Sequence, residues 1–155
     1  QEKRELLSGK ETSLSGEFQA DTPKPWILEA EQIMDALKND EILLLDVRNE
    51  SRFRGEKEPI DPVAGHIPGA KNEPFQVNLE ENGLWKNAET LRRQYLERFP
   101  DLDQKKCVPY CGSGVTACHT FFALRHAGFD HLSIYPGSWS EWISDASRPV
   151  AVGEE

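Results

Sequence analysis

The chain contains 155 residues, of which 29% are charged, and its formal net charge at pH 7 is −9. A chain of this length is expected to form one domain with a buried core. Its negative charge argues against binding to nucleic acid or to an anionic membrane. We find no apolar run that could span a bilayer and no signal-peptide pattern. The three cysteines lack the spacing of a disulfide framework, which predicts a reducing, cytoplasmic location.

The N-terminal residues are polar and show no sustained period, so residues 1–20 are predicted to form a linker or arm. The compact domain is predicted over residues 21–150, with a short tail over 151–155. Because the chain begins with Gln1 and its first segment has the composition of an interdomain linker, we expect another domain to precede it.

The first predicted elements are a helix and a strand. Residues 29–38 place Ile33, Met34 and Leu37 on one face, which is typical of an amphipathic helix. A continuous apolar run over residues 41–47 predicts a strand buried on both faces. The later predictions are a short strand after a turn at 65–72, a helix over 88–99, a strand over 105–110, a helix over 115–127, a strand over 131–135 and a helix over 138–144. This alternation predicts an α/β fold with a mainly parallel sheet and helices on both faces.

Cys111 is the most informative residue, because it lies between a strand-like and a helix-like run in the sequence Cys-Gly-Ser-Gly-Val-Thr. Backbone N–H groups at the start of a helix are unpaired and favour negative charge. Gly112 and Gly114 can adopt positive φ and let several amides converge on one atom. The pattern predicts a reactive cysteine with a lowered pKa. The alternative is a buried cysteine that packs as a small apolar side chain.

The other two cysteines are predicted to be packing residues, Cys107 within the strand and Cys118 on the apolar face of the following helix. A zinc site formed by Cys107, Cys111, Cys118 and His119 is conceivable from the number of ligands alone. The sequence contains no CxxC pair, however, and these four residues span a strand, a loop and a helix. We therefore do not predict a metal site.

Five motifs occur together, and in combination they resemble those of the rhodanese family. They are Leu45-Asp46-Val47-Arg48, Arg52-Phe53-Arg54-Gly55, Gly65-His66-Ile67-Pro68-Gly69-Ala70, the loop from Cys111 to Thr116, and Gly137-Ser138-Trp139-Ser140-Glu141-Trp142. The similarity begins at Gly16. More specifically, the chain resembles the C-terminal, catalytic domain of tandem-domain thiosulfate or 3-mercaptopyruvate sulfurtransferases. It implies a rhodanese-like fold with a five-stranded, mainly parallel sheet between helices. It also implies a preceding, inactive rhodanese-like domain.

The resemblance further implies a reaction. The Cys111 thiolate would take a sulfur atom from a small anionic donor, either thiosulfate or 3-mercaptopyruvate. The resulting persulfide would pass the sulfur to cyanide or to a thiol such as thioredoxin or glutathione. This chemistry needs no metal or organic cofactor. The loop amides that would stabilise the anion are those of Gly112, Ser113, Gly114, Val115 and Thr116.

Arg52 matches the family's substrate-binding arginine, and a guanidinium group suits an anionic donor. Its alternative role is that of a surface arginine on a loop. Mercaptopyruvate-type members usually carry a second arginine after a Glu-Pro step, where this chain has Ile60 and Asp61. Ser113 favours the opposite conclusion, since a Gly-Ser-Gly loop is common in mercaptopyruvate-type members and basic residues are common in thiosulfate-type ones. The preferred donor therefore stays open.

Four residues are expected to support the site, namely Asp46, Arg48, His66 and Trp139. Asp46 and Arg48 follow the first strand, and an ion pair or turn cap is favoured over an electrostatic role at the cysteine loop. His66 lies in a Gly-His-Ile-Pro-Gly turn, which favours a structural role over that of a general base. Trp139 is favoured as a packing residue, with part of the pocket wall as its alternative role.

Two other functions compete with sulfur transfer. A cysteine-based phosphatase requires an arginine six residues after the cysteine, where this chain has Ala117. A non-catalytic sulfur-carrier or protein-binding module would also hold a persulfide on Cys111. Only turnover distinguishes such a module from the enzyme.

Overall fold

A computed structural model describes residues 8–9, 16–17 and 26–154. Most of the linker predicted over residues 1–20 therefore lies outside the described residues. The helices and strands, in chain order, are α1 Ala30–Lys38, β1 Ile42–Asp46, α2 Glu50–Phe53, β2 Lys71–Asn72, a 3₁₀ turn Phe75–Asn78, α3 Ala88–Arg98, β3 Lys106–Tyr110, α4 Val115–His126 and α5 Ser138–Trp142. Among the described residues no helix is both long and apolar enough to cross a membrane.

The three strands form one parallel sheet in the order β2-β1-β3. Successive residues of the central strand point to opposite faces. Leu45 packs into the apolar core that includes residues of α3 and α4, and Leu44 packs into a second core that includes residues of α1 and α5. Both faces of β1 are thus covered, as the continuous apolar run over residues 41–47 predicts. The α/β fold with a parallel sheet and helices on both faces is confirmed.

The prediction of five strands is wrong, because the sheet has three strands within the part of the chain that the structure describes. The segment predicted as a strand over residues 131–135 does extend along β3. Its Ser133 N–H donates to Cys107 O at 3.0 Å, and its Tyr135 N–H donates to Pro109 O at 3.2 Å. Pro109 has no N–H and cannot return a hydrogen bond to this neighbour. The ladder is therefore interrupted, and an isolated parallel bridge takes the place of a continuous strand.

The sheet brings the ends of two strands together. Asp46 pairs with Tyr110 in the parallel register of β1 and β3, and Val47 N–H donates to Tyr110 O at 2.9 Å. The residues that follow these strands, including Arg48 and Cys111, therefore lie at one edge of the sheet. This carboxyl edge is where ligands usually bind in open parallel sheets.

The residues predicted as a tail contact the domain. Ala151 exchanges two backbone hydrogen bonds of 2.9 Å with His66, and Gly153 N–H donates to Arg54 O at 2.9 Å. These contacts hold the end of the chain against the turn that leads into β2.

Candidate active site

Cys111 follows β3 directly and is only 3% exposed. Its backbone is held by the segment that opens α5. The Cys111 N–H donates to Ser138 Oγ at 3.0 Å, and the Cys111 carbonyl accepts from Trp139 N–H at 2.9 Å. The Ser138 hydroxyl in turn donates to Tyr135 O at 3.0 Å. These bonds fix the direction in which the cysteine leaves the sheet.

Ser138 has a backbone φ of +56°, a left-handed conformation that is uncommon for a residue other than glycine. The strain is compatible with its double role, since its side chain bonds to both Cys111 and Tyr135. Sequence reasoning missed this serine as a site residue. Ser138 belongs to one of the five motifs, but nothing in the spacing indicates that its hydroxyl turns back to the cysteine.

Several hydrogen-bond donors act on the Cys111 thiol. Burial is the largest single influence on the thiol and acts to raise its pKa. The Thr116 hydroxyl and the backbone N–H groups of Ala117, Ser113 and Thr116 act in the opposite direction, and their combined effect is a lowered pKa. Donors fixed in this way stabilise a sulfur anion without any basic side chain.

These donors overlap with the predicted loop amides. Two of the five predicted amides, those of Ser113 and Thr116, are among the donors that lower the pKa of the thiol. The third amide belongs to Ala117, the third residue of α4, and lies beyond the predicted range. It is available because the first N–H groups of a helix have no intrahelical partner.

Gly114 allows the loop to close onto α4. Its φ is +84°, and a Cβ at this position would lie 2.6 Å from Pro136 O, so both conformation and space require glycine. Its carbonyl accepts from Cys118 N–H at 3.0 Å as the helix begins. The neighbouring Val115 and Ser113 are exposed on the outer side of the loop.

Arg52 lies beside the loop. A Cβ built on Gly112 would be 3.5 Å from its Nη2 and 3.6 Å from its Nη1. The Arg52 guanidinium is paired with two carboxylates, since Nε contacts both Glu58 oxygens at 3.0 and 3.1 Å and Nη2 contacts Asp61 Oδ2 at 3.0 Å. The predicted proximity of Arg52 to Cys111 is therefore present, but its charge is already neutralised within the protein.

Glu58 and Asp61 were not predicted as site residues. The Glu58 carboxylate accepts N–H groups from Ile60 at 3.1 Å and from Asp61 at 3.2 Å, which shapes the turn that carries both acids. Burial acts to raise the pKa of Glu58, but the hydrogen bonds from Arg52 and from these two amides lower it overall. The only sequence signal was the presence of two acids shortly after an arginine-rich motif.

Asp46 and Arg48 form a buried ion pair at the end of β1. Arg48 Nη2 lies 2.6 Å from Asp46 Oδ2 and also donates to Gly65 O at 2.7 Å. Both side chains are at most 1% exposed. Removing one member of such a pair costs about 3–5 kcal/mol, because the other charge stays buried and unpaired. The predicted ion pair is present, and Arg48 also extends it to Glu58 at 3.3 Å.

His66 and Trp139 are buried packing residues at the back of the site. The His66 ring stacks on Phe53 at 3.7 Å between centroids, and its Nδ1 lies 2.7 Å from Phe53 O. The Arg48 guanidinium carbon lies 4.8 Å from the centroid of the Trp139 ring, a cation–π contact. Trp139 Nε1 donates to Val63 O at 2.9 Å. These contacts support the structural roles favoured for both residues.

The remaining cysteines differ from each other. Cys107 is fully buried, which raises its pKa and agrees with its predicted packing role. The same prediction is wrong for Cys118, which is exposed on α4, because the helix turns this position away from the sheet. Within residues 26–154 and the shorter described segments, no three His, Cys, Asp or Glu side chains are grouped to hold a metal ion.

The chain is similar in sequence to known proteins. A family model described as "Rhodanese-like domain" matches residues 29–145. The chain is 44% identical over 149 residues to a probable 3-mercaptopyruvate sulfurtransferase of Pseudomonas aeruginosa, covering 96% of this chain and 52% of that protein. It is 45% identical over 112 residues to a putative thiosulfate sulfurtransferase, SseB, of Mycobacterium tuberculosis, covering 72% of this chain and 39% of that protein.

A solved structure has the same fold. The Tum1 protein of Saccharomyces cerevisiae superposes with a TM-score of 0.72 at 28% sequence identity, covering 83% of this chain and 47% of that chain. The present chain thus spans about half the length of the first curated relative it matches.

Proposed function

From the premise that this chain belongs to the rhodanese family, we propose that it is a sulfurtransferase that works through a persulfide on Cys111. The observation that carries this proposal is the position of Cys111 between β3 and the start of α4, where hydrogen-bond donors of Ser113, Thr116 and Ala117 lower the pKa of its thiol although the residue is buried. A thiolate is the nucleophilic form of cysteine. The same donors suit the persulfide anion that sulfur transfer produces.

The first half-reaction consumes the donor. With thiosulfate, the Cys111 thiolate attacks the outer sulfur, the donor's S–S bond breaks, and sulfite leaves with the electron pair. With 3-mercaptopyruvate, the donor's C–S bond breaks, and the carbon takes the electron pair and the thiol proton to leave as pyruvate. Both routes produce the same Cys111 persulfide anion, so the chemistry permits either donor.

The second half-reaction restores the cysteine. A thiolate acceptor or cyanide attacks the outer sulfur of the persulfide. The S–S bond between this sulfur and Cys111 breaks, and Cys111 leaves as a thiolate. Glutathione, thioredoxin or another protein thiol fits this role. The amides of Ser113, Thr116 and Ala117 stabilise the Cys111 anion both before and after transfer, which is a preorganised electrostatic contribution to the rate.

Arg52 is the donor-holding residue of this proposal. Its guanidinium lies next to Gly112, and Nε and Nη2 are bonded to Glu58 and Asp61. For Nη1, no hydrogen bond is found within the described part of the chain. This nitrogen is therefore free to donate to an oxygen atom of the sulfur-donating substrate. Asp46, Arg48, His66 and Trp139 act indirectly by fixing the turns from which Arg52 and Cys111 project.

The test is an intact-mass measurement after incubation with thiosulfate and, separately, with 3-mercaptopyruvate. We expect a gain of about 32 Da, one sulfur atom, that maps to Cys111 and disappears when cyanide is added. The Cys111→Ser variant is expected to remain folded and to gain no mass. Turnover by Cys111→Ser would contradict the proposal. Loading of Cys111 without turnover to any acceptor would instead identify a sulfur-carrier module.

A further inference from the structure

The charged cluster beside the catalytic loop contains more acid than base. It consists of the carboxylates of Asp46, Glu58 and Asp61 and the guanidinium groups of Arg48 and Arg52, which are joined by salt bridges of 2.6 to 3.3 Å. None of these side chains is more than 15% exposed. Water and salt therefore screen the extra negative charge poorly, and it acts on anything that binds next to Arg52.

Asp61 is the member of this cluster that is linked to the cysteine loop through Ser140. Its Oδ2 accepts from Arg52 Nη2 at 3.0 Å, and its Oδ1 lies 2.8 Å from Ser140 Oγ. Ser140 Oγ lies 2.8 Å from Gly112 O as well, so one hydroxyl connects the acid to the residue that follows Cys111. A Cβ built on Gly112 would lie 3.9 Å from Asp61 Oδ2.

We propose that Asp61 is a specificity-determining residue of the Cys111 site, which disfavours doubly charged sulfur donors relative to singly charged or neutral ones. The inference rests on the proposed sulfurtransferase function, because that function supplies the sulfur donors that are compared. Arg52 offers one positive charge, and Glu58 and Asp61 already oppose it. Thiosulfate brings two negative charges to this place and 3-mercaptopyruvate brings one, so the same carboxylate penalises thiosulfate more.

Asparagine tests the charge without changing the shape of the side chain. In Asp61→Asn the amide oxygen can still accept from Arg52 Nη2. The amide NH₂ can donate to Ser140 Oγ, whose own proton then bonds Gly112 O. The geometry of the loop is thus retained, and one unit of negative charge is lost. Asp61→Ser removes the same charge with a smaller side chain, as a second variant in case the first does not fold.

The experiment compares an anionic with a neutral reagent at the same thiol. Alkylation rates of Cys111 by iodoacetate and by iodoacetamide are measured, and their ratio cancels any change in thiol reactivity. We expect Asp61→Asn to raise this ratio tenfold or more, because Asp61 Oδ2 lies 3.9 Å from a Cβ built on Gly112 and a unit charge anywhere within about 12 Å has at least this effect at an effective dielectric constant of about 20. The ratio of kcat/KM for thiosulfate to that for 3-mercaptopyruvate should rise by a similar factor.

Asp103→Asn is the matched control, because it removes one carboxylate that is bonded to Arg92 at 2.7 Å. Asp103 precedes β3 and so lies at the opposite end of this strand from Cys111. We expect this control to leave both ratios unchanged. An alkylation ratio that is the same in Asp61→Asn as in the unmodified chain would overturn the inference. If the alkylation ratio rises but neither donor loads Cys111, the inference about charge stands and the proposed function fails.

Discussion

Replacing Thr116 with valine is expected to raise the pKa of Cys111. The substitution keeps the branched shape of the side chain and removes the hydroxyl that bonds the sulfur. The backbone donors of Ser113, Thr116 and Ala117 stay in place. A hydrogen bond to a charged group contributes about 1.5–3 kcal/mol. The thiolate population at a pH below both midpoints should therefore fall about tenfold or more, since 1.36 kcal/mol corresponds to a factor of ten.

The assay is the rate of Cys111 alkylation by iodoacetamide across a pH series, because only the thiolate reacts. The midpoint of the profile should lie at higher pH in Thr116→Val. The matched control is Thr120→Val, which makes the same chemical change one helical turn later, where the hydroxyl is 3.4 Å from Asn78 Nδ2. Its profile should coincide with that of the unmodified chain. Coincident midpoints for Thr116→Val and the unmodified chain would refute the role assigned to the hydroxyl.

The same substitution has a predicted effect on stability. A thiol whose pKa is lower in the folded than in the unfolded chain adds stability at pH values above its unfolded pKa. This contribution is lost as the pH falls through the folded pKa. Thr116→Val should therefore reduce the free energy of unfolding at alkaline pH more than at acidic pH, as measured by urea denaturation.

Two further substitutions test the loop and the donor-holding arginine. Gly114→Ala should destabilise the fold more than Gly128→Ala, because both glycines have φ of +84° but only the Cβ at 114 would meet Pro136 O, at 2.6 Å. The φ strain alone costs about 1–2 kcal/mol in each, so equal losses in urea denaturation would contradict the packing argument. Arg52→Ala should raise KM for 3-mercaptopyruvate about tenfold or more, the equivalent of one charge-assisted hydrogen bond. The iodoacetamide rate of Cys111 in the same variant separates a change in thiol reactivity from a change in donor binding, and an unchanged KM would remove Arg52 from donor binding.

Sequence patterns predicted the regular elements well where the signal is local. The apolar run over residues 41–47 is the central strand Ile42–Asp46, and the helix predicted over 115–127 is observed as Val115–His126. The prediction of a strand over 131–135 is wrong, because a strand there depends on hydrogen bonds with its partner strand. Pro109 leaves the ladder interrupted there, and a β-strand, unlike a helix, takes its hydrogen bonds from another part of the chain.

The candidate site divides in the same way. The place of Cys111 between a strand and a glycine-containing turn follows from the sequence itself, because glycine conformation and the open amides of a helix start are local properties. Ser138, which holds Cys111, is 27 residues away along the chain, and Ser140 meets Asp61 across 79 residues. No local pattern encodes such pairings. They arise only when the strands align and bring distant turns to one edge of the sheet. The tertiary structure alone therefore decided that Arg52 lies beside the cysteine loop with its charge already paired.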